Sequence, residues 1–233
     1  METVDSGYDF SQVHASLDKY VQDDLLAMAA SVVLDGQDIV DFHLAGHQDR
    51  EADRLIRADS IYRIYSSTKL ITSCAAMMLW EEGQFQLDDP LRDYLPELGS
   101  LSVVKEGAND VGVVEPVAAE PTVRQLMCHN AGFSYGIFAE SLVDPIYNAV
   151  GVSAPTATLE DMVRKLGDIP LAYQPGRRWQ YSVSVDILGR LVEILSGLRF
   201  GEFLSRRIFE PLGMIDTGFH VPTEKHDRFC ANY

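Results

Sequence analysis

The chain has 233 residues, 46% of them hydrophobic, and a formal net charge of −16. This length allows one large domain or two small ones, and the composition excludes the disordered and fibrous classes. The acidity argues against a nucleic-acid partner, which requires a basic surface, and we interpret it as a solvated protein surface.

The N-terminal segment shows neither the basic start nor the apolar core of a signal peptide. No run of about 18 apolar residues occurs, so the sequence predicts no membrane span and no membrane partner. The three cysteines, Cys74, Cys128 and Cys230, have no metal-ligand spacing, and we interpret them as reduced, buried thiols. Together these features predict a cytoplasmic protein.

The first predicted elements are one helix and a group of strands. Residues 10–26 have the spacing of an amphipathic helix, with an apolar face made of Val13, Leu17, Tyr20 and Val21. Residues 29–46 predict two strands joined by a turn at Asp35 and Gly36. After a charged link at 48–59, the run SIYRIY (60–65) predicts a third short strand.

The most helical pattern is SSTKLITSCAAMMLWEEG (66–83), with Gly83 as its C-terminal stop. Residues 99–121 show no helical period and predict a long surface excursion. Beyond it, helical patterns dominate the chain.

Three further helices have recognisable ends. Thr122 is placed to cap 122–130, and Thr158 with Asp161 resembles a capping box for 158–167. Ser184 is placed to cap a helix that stops at Gly197 and has an apolar stripe of Leu188, Leu191, Val192 and Leu195. A last helical segment follows at 199–213.

Strands that precede helices predict an α+β fold. We divide the chain into an N-terminal helix with the first strands (1–66), a mainly helical region that carries the active site (67–220), and the start of a C-terminal part (221–233).

The run GFSYG (132–136) matches G-x-S-x-G, the pattern of a nucleophile elbow. An elbow serine lies between a strand and a following helix, whereas Ser134 follows the helical run 122–130. We therefore interpret the run as a glycine-flanked helix stop, in which Phe133 and Tyr135 could line a pocket.

The second candidate is S-x-x-K, which places an amine beside a hydroxyl one helical turn away. The pattern occurs three times in this chain. Ser16 and Lys19 lie within the first amphipathic helix, and Ser102 and Lys105 lie in the excursion, where no helix aligns them.

Only the pair Ser66 and Lys69 follows a predicted strand and opens a long helix. There the unpaired amides and the helix dipole favour developing negative charge. The alternative is that Ser66 or Ser67 only caps the helix and that Lys69 is a surface residue.

Tyr181 favours a catalytic role for Ser66 and Lys69. It lies in a loop just before the helix that Ser184 is placed to cap, and from there its phenol could reach Ser66. We expect burial to lower the pKa of Lys69 and a nearby ammonium to lower that of Tyr181. Whichever partner is unprotonated could then accept the serine proton.

The chain resembles the penicillin-recognising serine hydrolases, which include class C β-lactamases, DD-peptidases and the β-lactamase-like (family VIII) carboxylesterases. The resemblance lies in four segments: FHLAGHQDRE with residues 61–98, TVRQLMCHNAGFSYG, PGRRWQYSVSVDILGRLVE, and IFEPLGMIDTGF. It implies a β-lactamase/transpeptidase-like fold, an antiparallel sheet flanked by helices with an added helical region. It also implies Ser66, Lys69 and Tyr181 as catalytic residues and no cofactor or metal.

Two departures from the family pattern shape the prediction. The family motif Y-x-N is replaced by Tyr181-Ser182-Val183, and valine cannot bind a substrate amide; this favours esters over β-lactams. The family's third motif, K-T-G or an equivalent on a later strand that supplies an oxyanion amide, is absent. We therefore expect the C-terminal strands to be missing from this sequence.

The sequence thus predicts a serine carboxylesterase for small-molecule esters, with Tyr135, Phe138 and Trp179 as candidates for an apolar substrate wall. The alternatives are a β-lactamase or DD-peptidase, an acyltransferase, and an inactive fragment that only binds a ligand or partner. The oligomeric state stays open, with a homo-oligomer among the options.

Overall fold

The computed structural model describes residues 3–233. Two compact units make up the chain: one contains the residues up to Ile64 together with Gly218–Tyr233, and the other contains Tyr65–Thr217. Both units combine helices with a small antiparallel sheet, so the predicted α+β class is confirmed. Among residues 3–233, no helix has the length and apolar character needed to cross a membrane.

The first unit is built on an antiparallel sheet with the strand order β1–β2–β3. Its regular elements are α1 (Ser11–Gln22), β1 (Met28–Asp35), β2 (Asp38–Asp49), β3 (Arg54–Leu55) and a 3₁₀ turn at Thr223–Arg228. Gly36 takes a φ of 62° in the turn between β1 and β2, a conformation that glycine adopts without strain. The predicted opening helix and hairpin are therefore confirmed.

The predicted strand at 60–65 is wrong. Ile61 forms an isolated parallel bridge with Phe229, and the next three residues adopt no regular structure. The third strand is instead Arg54–Leu55, inside the segment predicted to be a charged link. The bridge to Phe229 depends on a contact between distant parts of the chain, which local sequence patterns do not contain.

The second unit is mainly helical. Its helices are α2 (Thr68–Glu81), α3 (Val123–Met127), α4 (Asp144–Val150), α5 (Leu159–Gly167), α6 (Ser184–Ser196) and α7 (Phe200–Leu204). Its strands are β4 (Ser102–Val104) and β5 (Val114–Pro116). Short 3₁₀ turns lie at Tyr65–Ser67, Leu91–Asp93 and Pro96–Leu98, and a π turn lies at Ser205–Phe209.

Helix α6 is the centre of this unit, because it packs against α2, α3, α5 and α7. Ile187, Leu188 and Leu191 are fully buried on it. Each such side chain stabilises the fold by about 1.5–3 kcal/mol relative to exposure. Helix α2 contributes Ala75 and Ala76, whose small side chains allow close helix packing.

The helix ends agree with the sequence in most cases. Thr122 and Thr158 each form a full capping box, and Gly197 ends α6 in the left-handed conformation. Ser184, however, does not cap α6: it is the first helical residue, the cap position is Val183, and the Ser184 hydroxyl bonds to that of Ser182. That prediction is wrong.

Two other expectations need correction. The segment 99–121 is not entirely a surface excursion, because β4 and β5 pair in it and Val103 and Val104 are buried. All three cysteines are free thiols, but Cys74 and Cys128 are exposed and only Cys230 is buried. The interpretation as buried thiols therefore holds for one cysteine of three.

Candidate active site

Ser66 lies in the 3₁₀ turn that leads into α2, on the exposed surface of the second unit. The preceding residue, Tyr65, has a φ of 40°, in the left-handed region that is costly for a bulky side chain. This sharp change of direction at the start of the helix presents the Ser66 hydroxyl to solvent. A serine in this position is accessible to a small molecule.

Two polar side chains meet the hydroxyl of Ser66. The Tyr181 hydroxyl donates a hydrogen bond of 2.6 Å to Ser66 Oγ, and Lys69 Nζ lies 3.5 Å from the same oxygen. The Lys69 ammonium also lies 4.9 Å from the centre of the Tyr181 ring. The structure therefore brings together the three side chains that the resemblance named, although they are separated by up to 115 positions in the sequence.

The pKa values of the two candidate bases move in opposite directions. For Tyr181, burial raises the pKa, but the hydrogen bonds with Ser66 and Lys69 and the lysine charge outweigh it, and the pKa is lowered. For Lys69, burial lowers the pKa, but the hydrogen bond with Tyr181 and the charges of Tyr135 and Asp186 outweigh it, and the pKa is raised.

The expectation of a lowered lysine pKa is therefore wrong in its net direction. Because the tyrosine loses its proton more readily than usual and the lysine holds its proton more firmly, the phenol is the group suited to act as a base. The lysine is suited to act as a fixed positive charge.

His129 holds the backbone on both sides of Tyr181. The amide of Gln180 donates to the His129 carbonyl at 2.8 Å, and the amide of Ser182 donates to His129 Nδ1 at 3.2 Å. The His129 ring also lies against the Tyr181 ring, with 5.0 Å between the ring centres. Tyr181 is thus fixed by backbone contacts and by ring contact.

The environment of His129 disfavours the charged form of its imidazole. Burial and the charge of Lys69 both lower its pKa. Since Nδ1 accepts the Ser182 amide hydrogen, the ring proton lies on Nε2. His129 itself has a φ of 53°, so its backbone is constrained at this point.

Two of the three predicted substrate-wall residues contact the ring of Tyr181, and the third contacts His129. The ring of Tyr135 stacks on Tyr181 with 5.4 Å between centres, and Phe138 meets Tyr181 edge-on at 6.2 Å. Trp179 contacts His129 edge-on at 6.3 Å. Phe138 and Trp179 are exposed, so their apolar faces are available to a ligand.

Val183 lies two residues after Tyr181 and is 1% exposed. Its amide donates to the Ser134 carbonyl at 3.1 Å. The position that carries asparagine in Y-x-N motifs is thus occupied here by a core side chain with no hydrogen-bonding group.

Ser134, the central residue of GFSYG, is buried rather than presented on an elbow. Only 1% of Ser134 is exposed, its hydroxyl donates to Asp144, and it accepts from Gln180 Nε2 at 2.9 Å. Gly132 has a φ of 94° and lies so close to the Tyr173 carbonyl that a β-carbon would come within 2.4 Å of it. The run is therefore a packed glycine turn, as interpreted, but Phe133 is a core residue and lines no open surface.

The structure does not favour the other two S-x-x-K pairs as catalytic pairs, nor a capping role for Ser67. Ser16 and Lys19 lie on exposed positions of α1, where Lys19 pairs with Asp23, and Ser102 lies in strand β4. Ser67 occupies the cap position of α2, and its side chain makes no capping hydrogen bond within the described residues.

Sequence reasoning missed two residues of this site. Nothing local distinguishes His129, since its contacts with Gln180 and Ser182 join distant segments. Asp186 does have a local signal, because it is a carboxylate within the apolar run SVDILG. Within residues 3–233, no group of three or more His, Cys, Asp or Glu side chains is arranged to hold a metal ion.

Comparisons with known proteins identify the family of the chain. The family model described as Beta-lactamase matches residues 13–233. Esterase EstB from Burkholderia gladioli is 31% identical over 225 residues, covering 96% of this chain and 54% of that protein. Monacolin J acid methylbutanoyltransferase from Aspergillus terreus is 32% identical over 168 residues, covering 71% of this chain and 40% of that protein.

Among solved structures, EstCE1, described as a hydrolase with promiscuous acyltransferase activity, has a TM-score of 0.81 at 22% identity. It covers 96% of this chain and 56% of its own length, and this likeness concerns the fold. The chain spans about half the length of EstB. The family match extends over nearly the whole sequence and includes every residue of the Ser66 site, and the chain therefore belongs to the Beta-lactamase family.

Proposed function

We propose that the natural polypeptide carrying this chain is a serine carboxylesterase that hydrolyses short-chain esters through an acyl-enzyme on Ser66. The observation that carries the proposal is the exposed Ser66 hydroxyl within 2.6 Å of Tyr181 and 3.5 Å of Lys69. The similarity to EstB, an esterase by name, supports the choice of substrate class.

Acylation starts with the proton of Ser66. In the ionised pair, the Tyr181 phenolate accepts this proton while Lys69 remains an ammonium ion, and Oγ attacks the ester carbonyl carbon. The resulting oxyanion is stabilised by the Ser66 amide and by the field at the start of α2. When the carbonyl re-forms, the alkoxide leaves and takes the proton from Tyr181, so the phenolate is restored.

Deacylation repeats the same steps with water. Tyr181 accepts a proton from a water molecule, which attacks the acyl carbon, and the proton then returns to Ser66 Oγ as the carboxylic acid departs. Lys69 supplies a constant positive charge that stabilises the phenolate in both steps. No proton is gained or lost by the enzyme over a full cycle.

Esters suit this site better than β-lactams. Val183 offers no partner for the amide of a β-lactam side chain, and it is buried. An alkoxide leaving group also requires less assistance than an amine. The exposed aromatic rings of Phe138 and Trp179 would bind the apolar part of the acyl or alcohol group.

The test is a pair of neighbouring serine variants. In the natural polypeptide, Ser66→Ala is expected to reduce p-nitrophenyl ester hydrolysis by about 10⁴-fold or more, since the nucleophile is lost. Ser67→Ala is the matched control, because Ser67 is exposed on the same turn and its side chain makes no cap bond within the described residues. Full hydrolysis by Ser66→Ala would refute the proposal.

Acyl transfer is the second candidate function, favoured by the similarity to a methylbutanoyltransferase. An alcohol that binds beside the exposed aromatic rings would replace water in the second step. Adding increasing alcohol to the ester assay would divert product from acid to new ester if this is the activity. An unchanged acid yield at saturating alcohol would assign hydrolysis alone.

A further inference from the structure

Asp186 is an acidic residue for which the proposed reaction has no role. It lies in the first turn of α6, five residues after Tyr181, and it is half-buried. Its Oδ2 atom is buried and has no hydrogen-bond partner among residues 3–233. An ionised carboxylate in this situation is unfavourable unless a positive charge compensates it.

A second aspartate in the same unit shows how a buried carboxylate is usually stabilised. Asp144 is buried, but it accepts hydrogen bonds from the Ser134 hydroxyl and from the amides of Gly136 and Ser141. Asp186 lacks such a set of donors around Oδ2. Burial raises the pKa of the Asp186 carboxyl, and the positive charge of Lys69 and a backbone hydrogen bond oppose this rise only in part.

The positive charge that acts on Asp186 comes from Lys69. Helix α6 packs against α2, whose first turn carries Lys69, and the two charges attract each other. The other titratable groups around Lys69 are Tyr135, Tyr181 and His129. The two tyrosines carry no positive charge, and the lowered pKa of His129 disfavours its charged form, so Lys69 is the cation of this group.

We propose that Asp186 is a positioning residue that keeps Lys69 as an ammonium ion beside Ser66 and Tyr181. It acts through charge and does not touch the reacting atoms. This inference rests on the proposed roles of Ser66, Lys69 and Tyr181.

The negative charge of Asp186 also acts on Tyr181, the proposed base. The Asp186 carboxylate disfavours a phenolate at Tyr181 and favours an ammonium at Lys69, so it raises the pKa of both groups. Removing the charge should therefore lower both pKa values together. A residue that only supports the packing of α6 would change stability or overall rate without shifting these midpoints in one direction.

The experiment follows the proton directly and needs no turnover. The natural polypeptide is labelled with ¹³Cζ-tyrosine, and the Tyr181 signal is identified by its absence from Tyr181→Phe. Because Lys69 and Tyr181 are coupled, the signal reports the apparent midpoints of the pair. Asp186→Asn is expected to move these midpoints to lower pH.

Asp161→Asn is the matched control. Asp161 holds the third position of α5, as Asp186 does in α6, and its shifts come from Thr158 and Arg164 rather than from Lys69. The control should leave the Tyr181 midpoints unchanged. Unchanged or raised midpoints in Asp186→Asn, or an equal shift in both variants, would overturn the inference.

A reciprocal measurement covers the case in which Asp186→Asn does not fold. Lys69→Met removes the cation, so the carboxyl midpoint of Asp186, followed by ¹³Cγ labelling and sequential assignment, should rise. A midpoint that stays or falls would overturn the inference. Ser66→Ala assays run in parallel test the proposed function separately, since they can fail while the charge coupling holds.

Discussion

Ser66 and Ser134 are two serines of one structural unit with opposite surroundings. Ser66 is exposed and lies beside an ammonium and a phenol, whereas Ser134 is 1% exposed and donates its hydroxyl hydrogen to the carboxylate of Asp144. Both positions match a motif for serine nucleophiles. The difference teaches that the partner and the exposure, rather than the motif, decide which serine can react.

One loop connects the surroundings of Ser134 with those of Ser66. Residues 134–144 begin at the buried serine, end at its carboxylate partner, and carry Tyr135 and Phe138 to the ring of Tyr181. Gln180, which donates to Ser134, immediately precedes Tyr181. The buried cluster thus acts as a support for the exposed site.

The largest effect after loss of the nucleophile is expected for Tyr181→Phe. Removing the phenol removes the proton acceptor while keeping the ring contacts with His129 and Tyr135, so kcat should fall about 10²- to 10⁴-fold. In the unaltered enzyme, kcat/KM should rise with pH as Tyr181 ionises, and this rise should lie below the ordinary tyrosine range because the Tyr181 pKa is lowered.

The pH profile of Tyr181→Phe shows whether Tyr181 acts as a base or only holds the neighbouring rings in place. Tyr181→Phe should lose the rise on the acid side and keep the stability of the unaltered protein. A variant with the same pH rise at reduced rate would assign that rise to another group.

A smaller effect, on stability rather than on rate, is expected in the buried region. Asp144→Asn replaces an acceptor of several hydrogen bonds by a side chain that also donates, and should lower the free energy of unfolding by about 3 kcal/mol. Thermal or denaturant unfolding measures it. Ser134→Ala should cost less and should keep ester hydrolysis.

The acid dependence of unfolding gives the sign of the Asp144 contribution. Burial raises its pKa, but the hydrogen bonds from Ser134, Ser141 and Gly136 outweigh this, and the pKa is lowered. A carboxyl group with a lowered folded-state pKa stabilises the fold above about pH 4 and loses this contribution as pH falls further. Asp144→Asn should therefore flatten the acid limb, and an unchanged limb would contradict the assignment.

The smallest effect is expected in the aromatic wall. Phe138→Ala removes an exposed ring beside Tyr181 and should raise KM for an apolar ester several-fold with little change in kcat. Ile137→Ala is the control, since Ile137 is the neighbouring exposed apolar residue of the same loop. Equal effects of the two variants would assign the change to the loop as a whole.

Much of the helical structure could be predicted from sequence because its signals are local. Thr122 and Thr158 form the capping boxes that their spacing indicates, and Gly197 ends α6. The predictions failed where tertiary contacts decide: Ile61 pairs with Phe229, and Val103 is buried in a segment that shows no helical period. Local patterns contain no information on such contacts.

The sequence could predict those residues of the site that belong to a motif. The S-x-x-K spacing occurs three times, and its context at the start of a long helix singles out Ser66 and Lys69. The loop position of Tyr181 indicates a partner for them, and the family resemblance supports that choice. The net rise in the Lys69 pKa depends on Asp186 and on two tyrosines from other segments. That balance of charges could not be derived before the fold placed these groups together.

The most direct test is to locate the reactive serine. A fluorophosphonate that bonds to activated serines is incubated with the natural polypeptide, and the modified residue is identified by peptide mass spectrometry. The account predicts a single adduct on Ser66 that is absent from Ser66→Ala and weakened in Tyr181→Phe. An adduct on Ser134, or on any serine other than Ser66, would contradict it.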